Sequence, residues 1–229
     1  MAGQSFILNR RNFCVLSAGA ATAALAGCSP DGSGTGGLQS VGLNYRPVPQ
    51  LGEPQSEPFA LPRVDMRKIP SQFHRQYVKH SGKYKPGTIV VDTANRHLYL
   101  IGKDNQAIRY GIGVGRAGFA WGGKARIGRK AKWPTWTPPG PMIRRQPELK
   151  KWAGGMPGGP ANPLGARAHY LYKGGRDTLY RIHGTNEPFS IGQAMSSGCI
   201  RMLNIDAIDL YERSGVGATV VVSQKGAVI

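Results

Sequence analysis

The sequence HGTNEPFSIGQAMSSGCIRM at residues 183–202 carries the clearest signal in this chain. It contains His183 and Cys199, sixteen positions apart, with the cysteine directly after a glycine. A thiolate is a strong nucleophile and a neutral imidazole is a good base, so this pair suits covalent acyl transfer. Gly198 permits a tight turn. The N–H groups of Gly198 and Cys199 would then face one cavity, where they bind the oxyanion of a tetrahedral intermediate.

His183 follows the strand-like run Tyr180–Ile182, which would hold a base in a rigid position. The sequence identifies no certain acidic partner for this histidine. A backbone carbonyl is therefore interpreted as the group that fixes the imidazole tautomer. A thiolate–imidazolium pair would lower the pKa of Cys199 and keep the sulfur reactive at neutral pH.

The first 27 residues have the pattern of an export signal. Two arginines at 10–11 precede a short apolar run, Phe13–Ala26, which is shorter than the roughly 20 residues needed to span a bilayer. Paired arginines here are typical of twin-arginine export, and the alternative is a Sec-type basic region. The segment Leu25–Cys28 resembles a bacterial lipobox and predicts lipidation of Cys28; the alternative is ordinary cleavage near the end of the apolar run.

Lipidation would attach the protein to a membrane without a transmembrane helix. Ser29, by resemblance to Gram-negative lipoproteins, favours the outer over the inner membrane, and both face the periplasm. That compartment is oxidising. Two of the three cysteines, at 14 and 28, belong to the signal region, which leaves Cys199 in the folded part. A lone cysteine there indicates a reactive role, and a buried inert cysteine is the alternative.

The chain is strongly basic, with 30 Lys and Arg against 12 Asp and Glu and a net charge of +18. Such a charge favours either solubility or an anionic partner. The sequence has no zinc-finger, RNA-recognition or helix-turn-helix pattern, and an exported protein meets little nucleic acid, so no nucleic-acid partner is predicted. Acidic cell-wall polymer or anionic lipid headgroups fit the expected compartment better.

No metal or other cofactor is predicted. The remaining histidines, at 74, 80, 97 and 169, show no HxH or HExxH spacing, and no CxxC accompanies them. The glycine-rich stretch 115–123 lacks the GxGxxG and Walker patterns, so no nucleotide is implied. Catalysis by a thiol needs neither group.

Composition divides the rest of the chain into three parts. Residues 28–85 are predicted to be a flexible linker with an N-terminal extension, residues 86–223 a folded catalytic domain, and residues 224–229 a tail. The linker is rich in Gly, Ser and Pro, which is typical of flexible segments. Apolar residues in 59–85 predict a short helix that packs against the main domain.

The folded domain is predicted to be mainly β, a sandwich or barrel-like sheet, with one short helix at about 205–213 capped by Asn204. Residues 115–165 are rich in Gly, Pro and Trp and are predicted to be irregular. The interpretation is a binding loop or lid; a simple surface excursion is the alternative. Strands are predicted from apolar runs between turn residues, at 88–92, 97–101, 107–114, 168–172, 178–183 and 218–222.

The order of residues over 183–202 resembles the signature of the YkuD-type L,D-transpeptidases. The resemblance extends upstream through Trp133–Trp136 and Asn162–Gly165, and downstream through Asn204 and the last strand. It covers roughly residues 86–223 and is strongest to the periplasmic ErfK/YbiS-like branch. It implies a β-rich catalytic domain with a groove, in agreement with the strand pattern.

The resemblance implies that Cys199 is the nucleophile, His183 the base and the Gly184 carbonyl the group that orients it, with oxyanion-hole N–H groups from Gly198 and Cys199. The implied substrate is a peptidoglycan stem tetrapeptide, attacked between meso-diaminopimelate and the terminal D-Ala. D-Ala leaves, and the thioester passes to an amine on a second diaminopimelate or on an envelope protein. Transfer to water instead would make the protein a carboxypeptidase or amidase.

Five further residues are candidates for binding substrate or supporting the site. Arg201 matches the family's arginine after the cysteine and would steady the turn or meet a substrate carboxylate. Its alternative is a structural ion pair with Asp206 or Asp209. Ser197 stands where some relatives carry His or Arg. The others, each with a structural alternative, are Ser196, Asn186 and Tyr170.

A different class of function is a non-catalytic lipoprotein that keeps this fold to bind peptidoglycan. Such a protein is expected to lose Cys199 or His183, and this chain keeps both. A papain-like peptidase fits less well, because its cysteine precedes its histidine and begins a helix. The sequence therefore predicts an enzyme.

Overall fold

The computed structural model describes residue 50 and residues 56–115, 121–196, 199–227 and 229. All of these belong to one compact unit, residues 42–229. The predicted export signal, Cys28, Ser197 and Gly198 lie outside the described residues. No helix within the described ranges is long and apolar enough to cross a membrane.

The strands of the described part of the chain form a single mixed sheet. Its strands are β1 (Gln76–Lys79), β2 (Ile89–Asp92), β3 (His97–Ile101), β4 (Gln106–Gly111), β5 (Gly113–Gly115), β6 (Gly123–Lys132), β7 (Arg167–Lys173), β8 (Arg176–His183), β9 (Ala194–Ser196), β10 (Ile200–Arg201) and β11 (Thr219–Ser223). They are hydrogen-bonded in the order β1-β4-β3-β2-β11-β6-β7-β8-β10-β5-β9. Most neighbouring pairs are antiparallel, while β11–β2, β10–β8 and β5–β9 are parallel.

The core explains how so long a sheet becomes compact. The strand β2 begins with the apolar run Ile89-Val90-Val91, and it is buried on both faces. One apolar cluster contains Ile89 together with Leu171 of β7 and Ile182 of β8, from strands well separated in the sheet. Strands that contribute to one core from distant positions must curl around it. The prediction of a mainly β fold with a short helix is confirmed.

The helix α2 (Asn204–Arg213) packs against β7 and β8. Ala207, Ile208 and Leu210 are buried, as its apolar spacing requires. The predicted cap is wrong: Leu203 occupies the N-cap position without a side-chain cap bond, and Asn204 is the first helical residue. The Asn204 side chain makes longer-range hydrogen bonds instead, which are described with the site.

The predicted strand at 107–114 is two strands. β4 ends at Gly111 and pairs with β1 and β3, whereas β5 begins at Gly113 and pairs with β9 and β10. Ile112 separates them, and its N–H donates to the carbonyl of Arg96 at 3.0 Å rather than to a ladder partner. The chain passes there from one edge of the sheet to the other.

The prediction that 115–165 is irregular is wrong for part of its length. Residues 123–132 form β6, which pairs with β7 and β11. A short helix, α1 (Gly140–Arg145), and a 3-10 helix, Pro147–Trp152, follow. The rest of residues 133–166 is turns, bends and one isolated bridge between Trp136 and Met156.

The N-terminal extension is integrated into the fold over its described residues. In place of the predicted short helix it has two 3-10 turns, Met66–Lys68 and Ser71–Phe73, followed by β1 at the sheet edge. Phe73 is buried and packs over Gly111, where a Cβ on the glycine would lie 2.5 Å from the Cβ of Phe73.

Candidate active site

The parallel pairing of β8 and β10 brings the two predicted catalytic residues together. Ile200 pairs with Ile182 and Arg201 with His183, and the N–H of Met202 donates to the His183 carbonyl at 2.8 Å. Cys199 directly precedes β10, so it lies beside the end of β8. Sixteen residues of separation in sequence thus become a side-by-side arrangement in space.

His183 is held as a neutral base. Its Nδ1 lies 2.5 Å from the carbonyl oxygen of Gly184. Because a carbonyl oxygen only accepts, Nδ1 carries the proton and Nε2 keeps the lone pair. Burial lowers the pKa of His183 to about 4, against the opposing effect of the Gly184 bond. The imidazole is therefore uncharged at neutral pH.

Cys199 is held as a neutral thiol. Burial raises its pKa, although a hydrogen bond with the backbone of Arg181 and the positive charges of Arg181 and Arg201 act in the opposite direction. Both shifts favour a neutral thiol and a neutral imidazole over the expected thiolate–imidazolium pair in the resting site. The arrangement suits general-base activation, in which the imidazole takes the thiol proton as the sulfur attacks.

Both residues open onto one cavity of about 570 Å³. We call one side of it the strand wall, formed by residues on and directly after β8 and at β10. The opposite side, the loop wall, comes from residues 136–164. The strand wall consists of His183, Asn186, Glu187, Cys199 and Arg201, and the loop wall of Trp136, Met142, Arg145, Gln146, Leu149, Trp152, Met156, Ala161, Pro163 and Leu164.

One buried side chain organises the loop wall. Asn162 has no exposed surface, and its amide nitrogen lies 3.0, 3.1 and 2.9 Å from the carbonyl oxygens of Pro134, Met156 and Pro157. Its two N–H groups are therefore shared among three acceptors. Its amide oxygen accepts from the N–H of Leu164 at 2.9 Å. These bonds replace the backbone ladder that an irregular segment lacks.

A second asparagine joins the two walls. The Oδ1 of Asn204 accepts from the N–H of Ala166, two residues after the loop wall, at 2.9 Å. Its Nδ2 donates to the carbonyl of Thr185, two residues after His183, also at 2.9 Å. A Cβ at Gly165 or Gly184 would lie 2.1 Å from this Oδ1. Gly165 has a φ of 61°, and a Cβ there would also lie 2.6 Å from the backbone of Gly184, so glycine is required at this position. At Gly184 the Asn204 side chain fills the space that a Cβ would need.

Arg201 lines the cavity, as predicted, and its ion-pair partner is Glu187. Its guanidinium donates to Glu187 Oε2 at 2.6 Å. The alternative pairing of Arg201 with Asp206 or Asp209 is wrong. Arg75 lies 3.3 and 3.5 Å from these two carboxylates, and Arg213 also pairs with Asp209, at 2.9 Å. Opposite charges on Arg201 and Glu187 offset each other inside the strand wall.

The other predicted site residues divide into three groups. Asn186 lines the cavity and donates to the Ala161 carbonyl at 3.2 Å. Tyr170 is buried away from the lining residues, with the guanidinium groups of Arg129 and Arg181 at 3.5 and 4.3 Å from its ring centre. Ser196 ends β9, while Ser197 and Gly198 lie outside the described residues, so their roles stay predictions.

The remaining histidines have backbone or hydroxyl partners. Across the described residues, no group of three or more His, Cys, Asp or Glu side chains is placed to hold a metal ion. His169 is the most buried of the four, and burial lowers its pKa to about 3. The contacts are His74 with the Ile69 carbonyl, His80 with the Gly82 N–H, His97 with the Gln72 carbonyl and His169 with the Ser214 hydroxyl.

Comparison with known proteins shows the relationship that the signature predicts. Residues 86–222 match the L,D-transpeptidase catalytic domain family YkuD. The probable L,D-transpeptidase ErfK/SrfK of Escherichia coli is 39% identical over 139 residues, which are 58% of this chain and 42% of that protein. The probable L,D-transpeptidase YbiS of Escherichia coli is 37% identical over 158 residues, 66% of this chain and 47% of YbiS. The chain therefore spans less than half the length of these two relatives.

A crystal structure from Brucella melitensis, described as a probable carnitine operon oxidoreductase, is 48% identical and covers 70% of this chain and 100% of that one, with a TM-score of 0.48. That description concerns the Brucella protein, and the family assignment does not depend on it. It depends on the match over residues 86–222 and on the sequence similarity to ErfK/SrfK and YbiS. The chain belongs to the YkuD family of L,D-transpeptidase catalytic domains.

Proposed function

We propose that this protein is a peptidoglycan L,D-transpeptidase that forms a thioester at Cys199. The observation that carries the proposal is the parallel register of β8 and β10, which sets Cys199 beside His183 in one cavity. The Gly184 carbonyl on Nδ1 of His183 leaves Nε2 as the base. Membership of the YkuD family supports the same chemistry.

The first half-reaction forms the acyl-enzyme. The sulfur of Cys199 attacks the carbonyl carbon of diaminopimelate, while Nε2 of His183 takes the thiol proton. The tetrahedral intermediate then collapses, the carbon–nitrogen bond to D-Ala breaks, and His183 returns the proton to the leaving amine. The acyl group is left as a thioester on Cys199.

The second half-reaction transfers the acyl group to an amine. The acceptor nitrogen attacks the thioester and gives its proton to His183, and the thiol leaves with that proton. The acceptor is a second diaminopimelate or an amine on an envelope protein. At the start and end of each half-reaction His183 is neutral and Cys199 is either a neutral thiol or a thioester. The lowered pKa of His183 and the raised pKa of Cys199 are therefore compatible with turnover.

The two walls suggest how a stem peptide is bound. The strand wall carries the charged pair Arg201 and Glu187, while the loop wall adds the cation Arg145. A stem tetrapeptide has free carboxylates and an amine, which such groups recognise through charge-assisted hydrogen bonds. Apolar side chains of the loop wall exclude water around the thioester.

The proposed location is the periplasmic face of a membrane, with Cys28 lipidated and the outer membrane favoured by Ser29. The support is the arginine pair at 10–11, the apolar run and the lipobox-like Leu25–Cys28. Cys28→Ala tests the anchor. The variant is expected to leave the membrane fraction and lose the mass of the acyl chains, whereas unchanged membrane attachment would contradict lipidation at this residue.

The activity test uses the full chain in detergent, incubated with purified disaccharide-tetrapeptide. Products are separated and weighed by mass spectrometry. Cys199→Ala is expected to abolish every product, and Cys28→Ala is the matched control, since it also removes a cysteine but leaves the cavity intact.

The products identify the acceptor. Dimers joined between two diaminopimelates would identify cross-linking, whereas loss of D-Ala without dimers points to water or an envelope protein. Absence of any Cys199-dependent product would contradict the proposal and favour a peptidoglycan-binding role.

A further inference from the structure

Glu57 lies outside the matched catalytic domain, yet its side chain is buried against it. The Glu57 carboxylate accepts from Arg167 Nη1 at 2.9 Å and forms a second, shorter bond to Arg167 Nη2. The side chains are 1% exposed for Arg167 and 7% for Glu57. This is a two-pronged ion pair between residues 110 positions apart.

Arg167 depends on this pair for its charge balance. Arg167 Nη1 also donates to the Ala166 carbonyl, which carries no charge. The buried Nε of Arg167 has no hydrogen-bond partner among the described residues. The bond from Arg167 is the largest effect that lowers the pKa of Glu57, so the carboxylate stays ionised. Removing one member of a buried pair leaves the other charge without compensation.

The same carboxylate binds Trp133, three residues before the loop wall begins. Trp133 Nε1 donates to Glu57 Oε2 at 2.6 Å, and the ring of Phe59 packs edge-on to Trp133 with 4.9 Å between centroids. Trp133 has a φ of 43°, a conformation that a bulky residue adopts only when its surroundings impose it. Three residues later the loop wall begins with Trp136.

Arg167 also reaches the catalytic base through its backbone. Its carbonyl accepts from the N–H of Gly184 at 2.9 Å, and the carbonyl of Gly184 in turn accepts from His183 Nδ1. Glu57 therefore contacts Trp133 directly, at the start of the loop wall, and connects to the orienting peptide of His183 through Arg167.

We propose that Glu57 is a positioning residue for the active site, supplied by the N-terminal extension. The proposal rests on the proposed function, because it assigns Glu57 the role of keeping the loop wall and the Gly184 peptide correctly placed relative to Cys199. The catalytic domain as matched, residues 86–222, is then incomplete without residues 56–59. Glu57 acts through Arg167 and Trp133 and touches no substrate.

The test compares three variants of the full chain. Glu57→Gln removes the charge and keeps the shape. Asp65→Asn is the matched control, because Asp65 belongs to the same extension but pairs with Arg67, which is 86% exposed. The double variant Glu57→Gln/Arg167→Met replaces the buried pair by a neutral one and is expected to recover the melting temperature that Glu57→Gln loses.

Three readouts separate positioning from stability. The first is turnover of disaccharide-tetrapeptide, and the second is the rate at which iodoacetamide alkylates Cys199, measured as a function of pH. The second needs no substrate, so it tests the positioning of His183 and the loop wall even if the proposed function fails. A third signal, the indole N–H resonance of Trp133, reports its hydrogen bond to Glu57.

The expected result is a fall of about tenfold or more in kcat and a changed pH profile of alkylation in Glu57→Gln, since small misplacement of reacting groups costs this much. Asp65→Asn is expected to match the unaltered protein in both. In the double variant the melting temperature returns but the rate does not. A double variant that regains both, or a folded Glu57→Gln with unchanged alkylation at every pH, would overturn the proposal.

Discussion

The two walls of the cavity are built by different means. The strand wall takes its shape from backbone ladders, since the pairing of Ile200 with Ile182 fixes where Cys199 lies relative to His183. The loop wall has almost no hydrogen bonds between paired strands. Single buried side chains stabilise it instead, above all Asn162 and the Glu57 carboxylate that binds Trp133 just before the wall begins. The reacting groups thus stand on the part that backbone geometry fixes. The part that faces the substrate depends on a few side chains.

This difference predicts where the site is vulnerable. A ladder distributes its hydrogen bonds over many residues, so one substitution removes little of it. In the loop wall, by contrast, one polar side chain bonds four backbone groups, so one substitution removes all of these bonds. Substitutions in the supports of the loop wall are therefore expected to cost more activity than substitutions of comparable burial around the strands.

Asn162→Ala is the strongest test of that contrast. It removes the Asn162 bonds to the carbonyls of Pro134 and Pro157 and to the N–H of Leu164, while the Met156 carbonyl keeps the N–H of Trp136. Each buried group left unpaired costs about 1–3 kcal/mol. We expect kcat/KM for disaccharide-tetrapeptide to fall by roughly a hundredfold, because the loop wall loses its fixed shape. The control is Asn186→Ala, in the same cavity but with one exposed bond. Equal losses in the two variants would contradict the concentrated role of Asn162.

Asn204→Ala tests the junction of the two walls. It removes the bonds to Ala166 and Thr185 and opens space beside Gly184. We expect kcat to fall about tenfold with a smaller change in KM, because the peptide that orients His183 gains freedom. Asn95→Ala, which loses a bond to Asp92 outside the cavity, is the control. A change confined to KM would show that the junction serves binding rather than the base.

The pH dependence of kcat/KM tests whether His183 and Cys199 in the strand wall are neutral. With the pKa of His183 lowered to about 4, the base is neutral above that pH and becomes protonated as the pH falls through it. The raised pKa of Cys199 adds no titration near neutrality. We expect kcat/KM to be level between about pH 6 and pH 8, to halve near pH 4 and to fall about tenfold by pH 3.

The measurement is kcat/KM over this range, with circular dichroism at each pH to confirm that the protein is folded. A thiolate–imidazolium pair would instead give a rate that titrates close to neutrality. Such a profile would mean that the site in solution differs from the buried, neutral arrangement.

Tyr170→Phe is expected to have the smallest effect. The Tyr170 ring lies between the guanidinium groups of Arg129 and Arg181, and phenylalanine keeps that ring. We expect kcat and KM to change by less than about twofold, since Tyr170 lies away from both walls. Steady-state kinetics on the folded variant decides this. A tenfold loss of kcat or kcat/KM would indicate that Tyr170 acts in the active site.

Much of the strand wall was predictable from sequence. His183 and Cys199 occur within one segment of twenty residues, 183–202, and the turn around the cysteine limits how that segment folds. The orienting role of a backbone carbonyl was also predictable, and the structure has the Gly184 carbonyl on Nδ1. The ionisation state was not, because it depends on how deeply the folded chain buries both groups.

The loop wall and the side chains that stabilise it could not be predicted from sequence, for a different reason. The bond from Asn162 to Pro134 spans 28 positions and the pair of Glu57 with Arg167 spans 110, and composition carries no trace of either. β6 was missed because only Ala125 and Ile127 face the core, among exposed Lys, Arg and Gly. The break between β4 and β5 falls at Ile112, which is as apolar as its neighbours and gives no turn signal.

The protonated resting state of Cys199 has a chemical consequence beyond transfer of acyl groups. Peroxides oxidise thiolates to sulfenic acid, whereas thiols react slowly. A cysteine whose pKa is raised and whose activating base is buried is therefore expected to react slowly with peroxides between turnovers. The burial that raises the pKa of this thiol is thus also expected to slow its oxidation.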